Sequence, residues 1–89
     1  MARITQLVLD VLKPHDPPVT TFARHLADQA QDLQVTVEVI EIDDKTESLT
    51  VVLEGEDIDL PAINELISTL GASLHSIDRV CAVSDTTDD

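Results

Sequence analysis

The sequence is poorest in the residues that most functional motifs require. Its one cysteine, Cys81, rules out an internal disulfide, and its two glycines rule out a glycine-rich phosphate loop. Phe22 is the lone aromatic residue. Five basic residues (Arg3, Lys13, Arg24, Lys45 and Arg79) stand against eighteen acidic ones, a formal charge of -13. A surface of that sign repels phosphate backbones and anionic lipid alike, so binding to nucleic acid or to a membrane is not expected. No window approaches the ~20 consecutive apolar residues of a transmembrane helix. The N-terminal MARITQLVLDVLK alternates as a strand does, unlike the continuous apolar core of a signal peptide. The expectation is a soluble, cytoplasmic protein.

What is present is aliphatic and acidic. Hydrophobic residues are 43% of the 89, enough for one small core, and Val, Leu and Ile recur at strand and helix spacings, as they do not in a disordered acidic chain. A single domain over residues 1–84 is expected, followed by an acidic tail from Asp85 to Asp89. The acids favour Asp, as in Asp43-Asp44, Glu54 to Asp59 and the tail. That is the balance of a protein from a salt-saturated cytoplasm. At ~1 M salt the Debye length is ~3 Å, so carboxylate repulsion is screened while hydrated carboxylates keep the domain in solution. The rival reading is an acidic protein that engages a basic partner.

Residues Arg3 to Lys13 place Thr5, Leu7, Leu9 and Val11 on one face of a strand and Ile4, Gln6, Val8, Asp10 and Leu12 on the other. Three prolines in Lys13 to Pro18 end it. A helix is expected from Pro18 to Asp32, with Val19, Phe22, Ala23, Leu26, Ala27, Ala30 and Leu33 as its apolar stripe. Alternation resumes over Gln34 to Asp43 and, after the polar turn Asp44-Lys45-Thr46, over Glu47 to Gly55. Placing Leu49, Val51 and Leu53 beside Val37 and Val39 requires paired residue numbers with an even sum, hence a loop of three or five residues. A second helix begins with Asp59 as cap and Pro61 in its first turn. Leu60, Ile63, Leu66, Ile67 and Leu70 form its stripe, and Gly71 stops it. Ser73 to Ser84 makes the last strand.

The order β-α-β-β-α-β with right-handed crossovers is that of a ferredoxin-like α+β sandwich: a four-stranded antiparallel sheet in order 4-1-3-2 with both helices on one face. The uncovered face would carry Val8, Leu12, Ile40, Ile42 and Val52, so self-association through that face or an exposed strand edge is expected.

Four stretches also carry a family resemblance: Leu7 to His15 (LVLDVLKPH), Glu41-Ile42-Asp43 with Thr46-Glu47, Glu54 to Asp59 (EGEDID), and His75 to Asp78 (HSID). They closely resemble an uncharacterised archaeal family known as domain of unknown function two-one-one, over nearly the whole chain. The resemblance implies a ferredoxin-like fold and ring-like homo-oligomers with bound divalent cations, and it implies no established biochemical activity. Arg79 and Cys81 stand where the resemblance leads one to expect an acidic and an aliphatic residue, and acids replace a basic C-terminal end.

Asp10 is the most informative position for chemistry, because a carboxylate in the middle of a central strand needs a partner. The first and third strands are expected to lie parallel and adjacent, so that Asp10 and Glu54 approach each other near their C-terminal ends, and the antiparallel fourth strand brings His75 and Asp78 to the same end. Such a set binds a divalent cation, its oxygens favouring calcium or magnesium over zinc. The competing reading pairs Asp10 with Lys13, Arg79 or a neighbouring subunit's base. The Glu54 to Asp59 loop, with four acids in six residues, reads either as a solvated loop leading into a capped helix or as a local ion site. Asp43-Asp44 reads as hairpin chemistry. His25 lies on the exposed side of its helix, whereas His15 and His75 approach where the first strand ends and the fourth begins. Cys81 reads as a small buried hydrophobe. No nucleophile elbow or Ser-His-Asp string is visible. The sequence therefore points to a non-enzymatic, ring-like homo-oligomeric binding protein taking a divalent cation or a small regulatory ligand at its interfaces. The alternative is an interaction module that docks a larger protein through its open sheet face or edge strand.

Overall fold

Two period-two stretches and a hairpin, each too apolar on one side to stand in water, build a sheet that two short helices close. The structure, a computed structural model, describes residues 1–85. Its elements are β1 (Arg3–Pro14), α1 (Val19–Ala27), β2 (Gln34–Ile42), β3 (Thr46–Glu54), α2 (Leu60–Thr69) and β4 (Ser73–Val83). The sheet order is β2-β3-β1-β4, with every neighbouring pair antiparallel. This is the expected 4-1-3-2 order read from the other edge. Of the expected acidic tail only Asp85 is among the described residues; the remainder lies outside them.

Leu7, Leu9 and Val11 of β1 and Leu49, Val51 and Leu53 of β3 are buried beneath Phe22 and Leu26 of α1 and Ile63 and Ile67 of α2. Both helices therefore cover the odd-numbered face of the two central strands. Each fully buried leucine or isoleucine contributes about 1.5–3 kcal/mol through removal of apolar surface from water. Asp59 caps α2 by accepting a hydrogen bond from the Ala62 amide at 3.2 Å, and Pro61 sits where a missing amide proton costs nothing. Gly71, at φ 84°, takes the left-handed turn that ends α2.

The first helix is shorter than its periodicity implied. It stops at Ala27, the Gln29 amide turns back to the Leu26 carbonyl at 3.1 Å, and Asp32 adopts φ 63°. Between Leu26 and Leu33 only small or polar side chains remain, so further helical turns would bury nothing. Leu33 reaches the core from the turn, and aspartate tolerates the left-handed conformation better than most residues.

Bulges change which face several residues occupy. Residues 43–45 form the three-residue loop between β2 and β3, and Val37 pairs with Val51 and Val39 with Leu49, as the even-sum rule requires. Ile40 is then skipped, after which Glu41 faces Ser48 and Ile42 faces Glu47. Ile42 therefore shares the side of Glu47 and Leu49, not the open face expected of it. Along β1 and β4 the register shifts at Thr5, His75 and Asp78. The bulge at Thr5 lets Ile4 pack against the core. Cys81 lies opposite Gln6 on edge strand β4 and is exposed. The expectation of a buried Cys81 fails because its partner Gln6 lies on the open face of the sheet, which neither helix covers.

Candidate functional site

The carboxylates singled out in the sequence are distributed by strand direction. A right-handed crossover returns the chain parallel to the strand it left but one strand away, so β1 and β3 are antiparallel neighbours, contrary to the parallel arrangement expected. Glu54 consequently lies opposite Gln6, while Asp10 lies opposite Thr50. Four residues of strand separate the two acids, about 13 Å. Glu54 accepts hydrogen bonds from the amides of Gln6 at 3.2 Å and Gln34 at 3.4 Å, one from each flanking strand.

Asp10 meets His75 instead. Their Oδ2 and Nδ1 atoms are 3.6 Å apart on the open face, the His75 side chain largely solvated and that of Asp10 half-buried. Lys13, one of the expected partners of Asp10, points to the opposite face, and Asp78 accepts a 2.8 Å hydrogen bond from the Ser76 hydroxyl. Among the described residues no three metal-ligating side chains converge. Asp10, Glu54, Asp78 and His75 thus do not form a complete cation site within one chain. His15 and His75 do not approach: the first turns toward β3 and the second sits on β4, on the other side of β1.

The acids of the Glu54 to Asp59 loop are engaged in structure. Asp57 accepts from the Ile4 amide at 3.3 Å, Asp59 caps α2, and Glu56 lies 4.0 Å from Arg3. A cleft of about 320 Å³ opens between this loop and the turn after α1, floored by Leu33, Ile58 and Ile63.

The most developed polar cluster lies at the other end of the sheet. Lys13 and Glu47 continue the odd-numbered core faces of β1 and β3 and stand opposite each other in the ladder. Lys13 is completely buried. Its ammonium donates to the carbonyls of Pro14 at 2.7 Å, Pro17 at 2.5 Å and His15 at 3.4 Å, and lies 3.0 Å from Glu47 Oε1. Because three carbonyls take the three ammonium protons, Oε1 is held by charge with no hydrogen bond of its own. Glu47 Oε2 contacts His15 Nδ1 at 3.1 Å, and His15 Nε2 contacts the Asp44 carbonyl at 3.0 Å. The hydrogen bond that His15 donates to Glu47, followed by that to the Asp44 carbonyl, raises the His15 pKa above its ordinary value. His15 and then Lys13 hold the Glu47 carboxyl below its own. The sequence reading missed this cluster. The signal for it was present, since a lysine and a glutamate each extend a run of alternating core leucines and valines.

A four-stranded antiparallel sheet in βαββαβ order with both helices on one face defines the ferredoxin-like α+β class. The chain belongs to the archaeal DUF211 family, described as uncharacterised ArCR, whose model matches residues 5–89. It is 43% identical over 82 residues, 92% of this chain and 84% of the relative, to an uncharacterised protein of Methanocaldococcus jannaschii. Membership is what the LVLDVLKPH and HSID strings implied.

Proposed function

We propose that this domain is a self-assembling, non-enzymatic binding protein whose copies join through the exposed edge strand β4 and the open sheet face beside it. The observation that carries the reading is the exposure of β4. All but one of its eleven residues are exposed, although the strand is apolar enough to be buried, with Ile77 at 45% and Val80 at 54%. Ile77 and Val80 lie opposite Leu9 and Leu7, on the helix side but beyond the cover of α2. Leu12 and Val83 add apolar surface on the open face. A long edge with unpaired backbone groups and aliphatic side chains favours pairing with another strand.

The Asp10 and His75 pair contributes two ligands to any cation at such a join. A calcium or magnesium ion takes six or more oxygen-rich contacts, so a second copy and water would supply the rest. A ligand that binds only the assembled form stabilises the assembly by its own binding free energy. The acidic surface supports a further reading, that the protein works in molar salt.

Light scattering in molar KCl, repeated after chelation of divalent cations, tests the proposal. A closed oligomer that dissociates on chelation supports cations at the joins. An oligomer indifferent to the chelator leaves assembly standing on apolar strands and removes the cation. A monomer in both conditions overturns self-assembly and favours a larger protein partner.

A further inference from the structure

His15 stands between two groups that only accept hydrogen bonds, the Glu47 carboxylate on β3 and the Asp44 carbonyl in the β2–β3 turn. A neutral imidazole has one N–H and one lone pair, so it donates to one of these partners and turns a lone pair toward the other. The imidazolium donates to both. Lys13 on β1 stands behind Glu47, and the turn presents the backbone of the acidic residues Asp43 and Asp44. The loop that carries His15 is itself anchored, because Lys13 gathers the carbonyls of Pro14, His15 and Pro17.

We propose that protonated His15 is a pH-sensitive latch that ties the β2–β3 turn to the loop between β1 and α1. Deprotonation breaks one of its two hydrogen bonds and loosens the turn. The segment held is the end of the hairpin, beyond the Ile40 bulge, where Ile40 and Ile42 are 60% and 67% exposed. The latch therefore sets how firmly an apolar strand end is presented.

The test is amide exchange at Asp43, whose N–H crosses the turn to the Thr46 carbonyl at 2.8 Å. Protection is corrected for intrinsic exchange and followed across the titration of the His15 ring by NMR. By linkage, the latch opens about tenfold more readily for each pH unit separating its midpoint from that of a free histidine. The expected result is a loss of Asp43 protection that follows the His15 titration in the native protein and is missing in His15→Gln. A flat profile in the native protein, or the same step in His15→Gln, overturns the proposal. If His15→Gln does not fold, His15→Arg keeps a permanent two-sided donor and should hold Asp43 protected throughout. A step that persists in that variant also overturns the latch.

Discussion

Lys13 and Glu47 face each other across the β1–β3 ladder with Nζ 3.0 Å from Oε1, the lysine having no exposed surface. Removing one partner of a buried pair leaves the other as an uncompensated charge, a loss of about 3–5 kcal/mol. Lys13→Met is expected to destabilise the domain by that amount, measured by urea unfolding in molar KCl. Lys13→Met combined with Glu47→Leu should recover only part of it, because the Pro14 and Pro17 carbonyls still lack their donor. Full recovery in the double variant would show that the carbonyl contacts contribute nothing.

The same cluster sets a pH window. The His15 pKa is raised from 6.5, so its contribution to stability is complete below that value and fades as pH rises through the folded midpoint. The Glu47 pKa is lowered from 4.5, so its contribution is complete above that value and is lost as pH falls through its depressed folded midpoint. The stability difference between the native protein and His15→Gln should therefore be largest between about pH 4.5 and 6.5 and shrink on either side. Unfolding curves of both proteins at pH 5.5 and 8.5 check the alkaline limb.

Asp59 is the only side-chain cap on either helix, because Pro18 opens α1 with none. Asp59→Ala is expected to cost about 1 kcal/mol in urea unfolding, while Asp59→Asn should cost much less. Equal losses would mean that the charge, and not the cap geometry, matters.

With a formal charge of -13 on 89 residues, carboxylate repulsion should dominate the salt response. The midpoint of thermal unfolding is expected to rise steeply between low and molar KCl, because the screening length falls to ~3 Å. Equal midpoints in both would dispose of the molar-salt reading.

Much of the fold was legible because its signals are local. The core face of β1 follows from alternation at Leu7, Leu9 and Val11, and that of β3 from Leu49, Val51 and Leu53. Asp59, Pro61 and Gly71 delimit α2 by their own backbone chemistry. The end of α1 was less legible, since Ala30 and Leu33 continue a helical spacing although the chain has already turned at Asp28.

The candidate site depended on relations between strands. Alternation within one strand determined that Lys13 and Glu47 lie on core faces, and local composition determined the acidity of the surface. Only the tertiary structure decided that those two residues meet, that Asp10 finds His75 instead of Glu54, and that Ile42 leaves the open face. The reason is physical. Side-chain alternation is a property of a single extended chain, whereas register, strand direction and the bulges at Ile40, His75 and Asp78 arise only when two strands share one ladder.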